Sequence, residues 1–258
     1  MTILLAALKF PPIDELVKWK GLIFKGTPFE VNKVVLLFWL AAIISFAMFW
    51  VAGRRQSLVP SGIQNVVEAG IEFVRTDIIL QTIGPEGMGW MPFLLTLFFF
   101  IGIGNTFEVI PILQFPTNAR MALPAFMAIL VWFLFNFVGI KSQGFRGYFK
   151  SVLFPPGVPK FLLPLVALIE FISTIFVRPF SLAVRLFANM LAGHLLLVTF
   201  AVLTAALFTK SVLAVIMPLP FAMLVLLTGF EILVGVLQAF IFTILTAVYI
   251  GGAMHPEH

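Results

Sequence analysis

The chain has 258 residues, of which 61% are hydrophobic, only 10% are charged and none is cysteine, whereas a soluble domain carries roughly 25% charged residues. So little polar surface cannot clothe a water-soluble exterior, so lipid must be the solvent for most of the chain. Without cysteine there is no disulfide framework, thiolate metal site or cysteine nucleophile, and three histidines leave little room for a metal centre. The net charge of +5 comes from basic residues scattered between apolar runs, the pattern of juxtamembrane anchors rather than of a nucleic-acid surface.

The opening MTILLAALKF lacks the charged start of a secretory signal, so no cleaved leader is expected. Residues 1–32 mix both charge signs with Trp19 and Phe24 and read as an interfacial segment lying at the headgroups. A helix needs about 20 predominantly apolar residues to cross hydrocarbon. Three uncharged intervals meet that need, at 34–53, 87–107 and 121–140. Between the first two, the stretch 58–81 repeats Ile63, Val66, Val67, Gly70, Ile71 and Val74 near helical spacing, with Glu68, Glu72 and Arg75 on the other face, and predicts an amphipathic surface helix. The segment from Lys141 to Lys160 is basic and rich in turn formers and reads as a loop.

Beyond Phe161 the chain is almost continuously apolar, with one plausible turn near TKSVLAVIMPLP. Two long helices are expected, at 161–208 and 218–252, about 70 and 50 Å long at 1.5 Å per residue. Both exceed the roughly 30 Å of hydrocarbon, so they must tilt, bend or break, and the prolines at 164, 179, 218 and 220 permit a break. The expectation is an all-α integral membrane protein, a single membrane domain over 1–258. It has about five membrane helices, the last two a long, strongly tilted hairpin, plus the surface helix. Arg54, Arg55 and the basic loop 141–160 lie on one side, which the positive-inside rule makes cytoplasmic, so the N-terminus is expected outside.

An ionised side chain near the bilayer centre costs about 2.5 kcal/mol or more and usually faces a partner, a bundle interior or a water path. Arg185 lies deep in the first long helix, and at 100° per residue Arg178, Ser181, Ala188, Asn189 and Ala192 fall within about 60° of it. Small residues let another helix approach closely, so this stripe is expected to meet a partner. His194 is about 180° around from Arg185. On the last helix Glu231, Gly235, Gln238, Phe242 and Tyr249 form one stripe. Residues equidistant from a turn near residue 212 lie level in a hairpin, which sets His194 beside Glu231 and Arg185 beside Gln238. The 31 phenylalanines are expected to be packing and lipid contact.

SLAVRLFANMLAGH together with LQAFIFTILTAVY closely resembles subunit a of the membrane (Fo) sector of F-type ATP synthases, and GNTFEVIP extends the likeness toward the N-terminal half. The resemblance implies a proton-conducting stator subunit, not catalytic alone, with no cofactor and no metal. It would supply two offset half-channels beside a ring of c subunits, with peripheral-stalk b subunits and the rest of the synthase as partners. By the family motif, Arg185 corresponds to the essential arginine facing the ring carboxylates, Asn189 and Gln238 to polar residues around it, and His194 and Glu231 to the pair in which some members exchange Glu and His. Asn105 and Glu108 match the approach to the outer half-channel. Glu170, Ser181 and Tyr249 complete the expected channel access, although the Glu170 to Pro179 spacing is one residue longer than the pattern of many members. The polar tail GGAMHPEH favours a bacterial inner membrane, with a mitochondrial inner membrane as the alternative. A self-contained proton-coupled secondary transporter is the alternative function; such proteins usually carry internal repeats, and none is found here.

Overall fold

The computed structural model describes residues 21, 23, 30–54, 61–154, 158–159, 161–208 and 212–254. Most of the expected interfacial segment 1–32, and residues 58–60 of the expected surface helix, lie outside them. The protein is an all-α integral membrane protein in which five helices are long and apolar enough to cross a membrane. In chain order these are α1 (Lys33–Arg54), α3 (Met91–Thr106, entered through a 3-10 turn at Pro85–Trp90), α4 (Ala122–Gln143), α6 (Leu163–Leu207) and α7 (Pro218–Met254). Two further helices do not span, α2 (Ile63–Phe73, continued by a π-helical turn Val74–Ile79 and by Leu80–Thr82) and α5 (Phe145–Leu153).

The buried faces are narrow because the surrounding solvent is itself apolar. In α1 only Val34, Leu37, Ala41 and Ser45 are buried, a single stripe at helical spacing, while Trp39, Ile43, Phe46 and Trp50 point outward. Asn32 starts this helix, its Oδ1 accepting the Val35 N–H at 3.1 Å. At the centre α7 packs against α3, α4 and α6, and α4 also packs against α6; α1 flanks this group through α3 and α2. At 45 residues α6 is about 65–70 Å long, more than twice the hydrocarbon thickness, so it cannot stand along the membrane normal.

Three local features refine the sequence reading, and one of them, the segment 141–160, departs from it. The surface helix buries Gln64, Val67, Val74, Ile78 and Ile79, whereas Ile63 and Val66 of its apolar face are exposed. Beside lipid an outward-facing isoleucine carries no penalty, so apolar periodicity alone does not mark the packed side. The expected loop 141–160 contains α5. Gly144, with φ of 75°, turns the chain out of α4 into α5, and the buried Tyr148 ring packs against Gly139, where a Cβ would collide with it. The Tyr148 phenol donates to Asn136 Oδ1 at 3.1 Å. Burial pushes this phenol above the ordinary tyrosine range, against the opposing pull of Arg178.

α6 runs through Pro179 without a break. A proline inside a helix forfeits one backbone bond and crowds the preceding turn. Here the preceding turn, Ser173–Val177, widens to π geometry, which holds one extra residue per turn. The Thr174 carbonyl accepts the Trp132 indole N–H from α4 at 3.0 Å, pinning the widened turn to its neighbour.

Candidate functional site

Polar side chains collect in the interior where α3, α6 and α7 meet, around a loop between α3 and α4 that folds back inward. The loop runs out to an exposed Ile112 and then returns, so that Phe115, Pro116, Thr117, Asn118 and Ala119 are all buried. The 3-10 turn Thr117–Ala119 packs on α6 and also touches α1, α3 and α4. A buried loop must place its polar groups on partners, since an unpaired one costs free energy.

On α6, His194 is buried, its Nδ1 3.4 Å from Glu108 Oε1, and its ring is met edge-on by Phe115 at 5.3 Å. The neighbouring Gly193 has no side chain, and the Glu231 carboxylate from α7 occupies the space that a Cβ would fill. Glu231 therefore lies level with residues 193–194. One turn further along α7, the Gly235 carbonyl accepts the Asn105 Nδ2–H at 3.2 Å. Asn105 Oδ1 in turn accepts the Asn118 Nδ2–H at 2.6 Å. Four buried atoms in this cluster have no hydrogen-bond partner, namely Glu108 Oε1, Glu231 Oε2, Thr117 Oγ1 and Asn118 Oδ1. Buried polar atoms of this kind are commonly satisfied by internal water.

The cluster reaches the exterior. A cleft of about 380 Å³ is lined by Glu108 and His194 together with Lys33, Gln114, Leu224 and Thr228. Of these lining residues, Lys33 stands at the start of α1. Among the described residues no set of three or more His, Cys, Asp or Glu is arranged to hold a metal ion.

Arg185 occupies a different setting. It lies exposed on α6, with Ala188, Asn189 and Ala192 exposed on the same face and Leu182, Ala183, Leu186 and Met190 buried on the other. The expected stripe of small and polar residues is thus uncovered over its central part. Gln238 does not share this exposure: it is buried, as are Glu231, Gly235 and Phe242 along its stripe on α7. At the far end of the stripe Ser181 is half-buried, and the Arg178 guanidinium lies 5.5 Å from the Tyr249 ring centroid. Glu170 is half-buried just ahead of the π turn.

The structure therefore brings together Asn105, Glu108, His194 and Glu231, and sets Arg185 and Asn189 apart on an open face. Sequence reasoning missed Phe115, Thr117 and Asn118. Their segment, QFPTNAR, has no periodicity and reads as an ordinary turn; a polar pair between two apolar aromatic and alanine positions is the only signal it offers.

Comparison with known proteins gives a consistent result. The family model described as ATP synthase A chain matches residues 35–251. The chain is 42% identical over 264 residues to a protein named ATP synthase subunit a from Rhodococcus erythropolis, covering 98% of this chain and 94% of that protein. It is 43% identical over 235 residues to the protein of the same name from Frankia alni, covering 88% and 79%, and 41% identical to that from Rhodopseudomonas palustris, covering 88% and 89%.

Proposed function

This chain belongs to the ATP synthase subunit a family, and we propose that it is the stator half of a rotary proton motor, in which Arg185 faces the carboxylates of a c-subunit ring and two offset half-channels reach that ring from opposite sides. Family membership sustains the coarser role, a multi-pass, proton-translocating Fo subunit working with the rest of the synthase, and displaces the secondary-transporter alternative. The observation that carries the finer reading is the separation of two settings on α6: a buried acid and imidazole cluster joined to a cleft, and an exposed arginine on a face with no covering helix.

A guanidinium is effectively never deprotonated, so Arg185 acts as a fixed charge rather than a proton carrier. A carboxylate passing on the ring is held ionised by that charge and must take a proton before it turns into lipid, where bare charge is costly. Glu108, His194 and Glu231 are proton-exchanging groups that pass the proton inward from the cleft. Glu170, Ser181 and Tyr249 lie toward the other end of α6, where the second half-channel opens to the inner side. Asn189 shares the open face with Arg185, while Gln238 supports it from within the hairpin. The b subunits of the peripheral stalk hold this subunit against the turning ring, in a bacterial inner membrane.

The absence of native cysteine makes the docking face directly testable. Ala188→Cys and Ala192→Cys are each expected to form disulfides with cysteines placed along the outer helix of the c ring in the assembled synthase, while the buried Ala183→Cys control forms none. No bond from either exposed position, across a full turn of ring cysteines, would remove the ring from this face.

A further inference from the structure

We propose that Asn118, in the inward-folded loop between α3 and α4, is a positioning residue that fixes the side chain of Asn105 and with it the join between α3 and α7 beside the proton path. The inference rests on the proton-path reading above and extends it to a residue outside the helices.

The hydrogen-bond directions follow from chemistry. The Gly235 carbonyl can only accept, so the Asn105 group facing it at 3.2 Å must be the amide nitrogen. That turns Asn105 Oδ1 toward the loop, and whatever meets it there must donate. Asn118 does so at 2.6 Å, while fully buried. Its own Oδ1 is left without a protein partner, so the amide serves Asn105 first and leaves its acceptor for water. Without that donor, Asn105 Oδ1 is a buried acceptor with nothing to accept and the amide is free to rotate, which unmakes the bond to Gly235 one turn from Glu231. The same loop segment sets Phe115 against the His194 ring. Two of the polar groups along the path thus take their orientation from five consecutive buried loop residues.

The test is a double-mutant cycle on passive proton conductance through the assembled synthase, stripped of its catalytic sector in membrane vesicles. Asn118→Leu and Asn105→Leu are expected each to lower conductance about tenfold, the scale of removing one buried hydrogen-bond partner. The double variant should fall no further than Asn105→Leu alone, because Asn118 acts through Asn105. Losses that multiply in the double variant would reduce Asn118 to a packing residue. Wild-type conductance in Asn118→Leu would overturn the proposal outright. Glu108→Gln and His194→Ala separate the two levels: if they abolish conductance while Asn118 variants do not, only this inference fails, and if they too conduct normally the proton path itself is misplaced.

Discussion

At the scale of single residues, the interior cluster is arranged by geometry that the sequence partly contains. The fixed rise of two antiparallel helices sets His194 level with Glu231, and the structure places the Glu231 carboxylate against Gly193. What the helical register could not supply is the contact between His194 and Glu108 at 3.4 Å, since Glu108 lies past the end of α3 and its position depends on how the loop folds back. Asn118 was invisible for the same reason: the path of a loop without periodicity is decided by tertiary packing. The closeness of His194 and Glu231 gives a reciprocal prediction. His194→Glu and Glu231→His alone should each lower ATP-driven proton pumping in vesicles by an order of magnitude or more, the scale of losing one positioned proton-exchanging group. The double exchange should pump better than either; a double variant no better than the singles would mean that the two do not act on each other.

At the scale of elements, the apolar spans were legible because twenty uncharged residues between charged ones leave few alternatives. Their packed faces were not. In a soluble protein the apolar side of a helix is the buried side; here Trp39 on α1 and Phe133 on α4 face lipid while Glu231 and Thr243 are buried, so polarity marks the inside as often as the outside. α5 was hidden by its neighbours, Gly144 and the prolines after Phe154, which made a docked nine-residue helix look like a turn. The close approach of α6 and α7 at the cluster depends on Gly193, so a methyl group there should act well beyond its size. Gly193→Ala is expected to push the Glu231 carboxylate aside and lower proton conductance on the order of 10- to 100-fold, as misplacements near 1 Å do at reacting groups, while the synthase still assembles. Conductance within twofold of wild type would show that α6 and α7 can separate there without cost.

At the scale of the whole molecule, α6 carries both the buried imidazole of the interior cluster, His194, and the exposed Arg185 face. Arg185 lies nine residues before His194 and fifteen after Glu170, so roughly 13 Å and 22 Å of helix separate the fixed charge from the groups on either side of it. Its outer face is uncovered in the isolated chain, and its inner face is packed on α4 and α7. In the motor proposed above, a proton entering by the cleft would reach the ring on one side of Arg185 and leave on the other, with the arginine preventing a direct passage between the two. The measurement that bears on this most directly is proton-driven ATP synthesis by the assembled synthase carrying Arg185→Ala, with assembly verified by recovery of the ring and the catalytic sector. Synthesis is expected to be abolished although the complex is intact; synthesis at the wild-type rate would contradict the role of Arg185 and with it the coupling of proton flow to ring rotation.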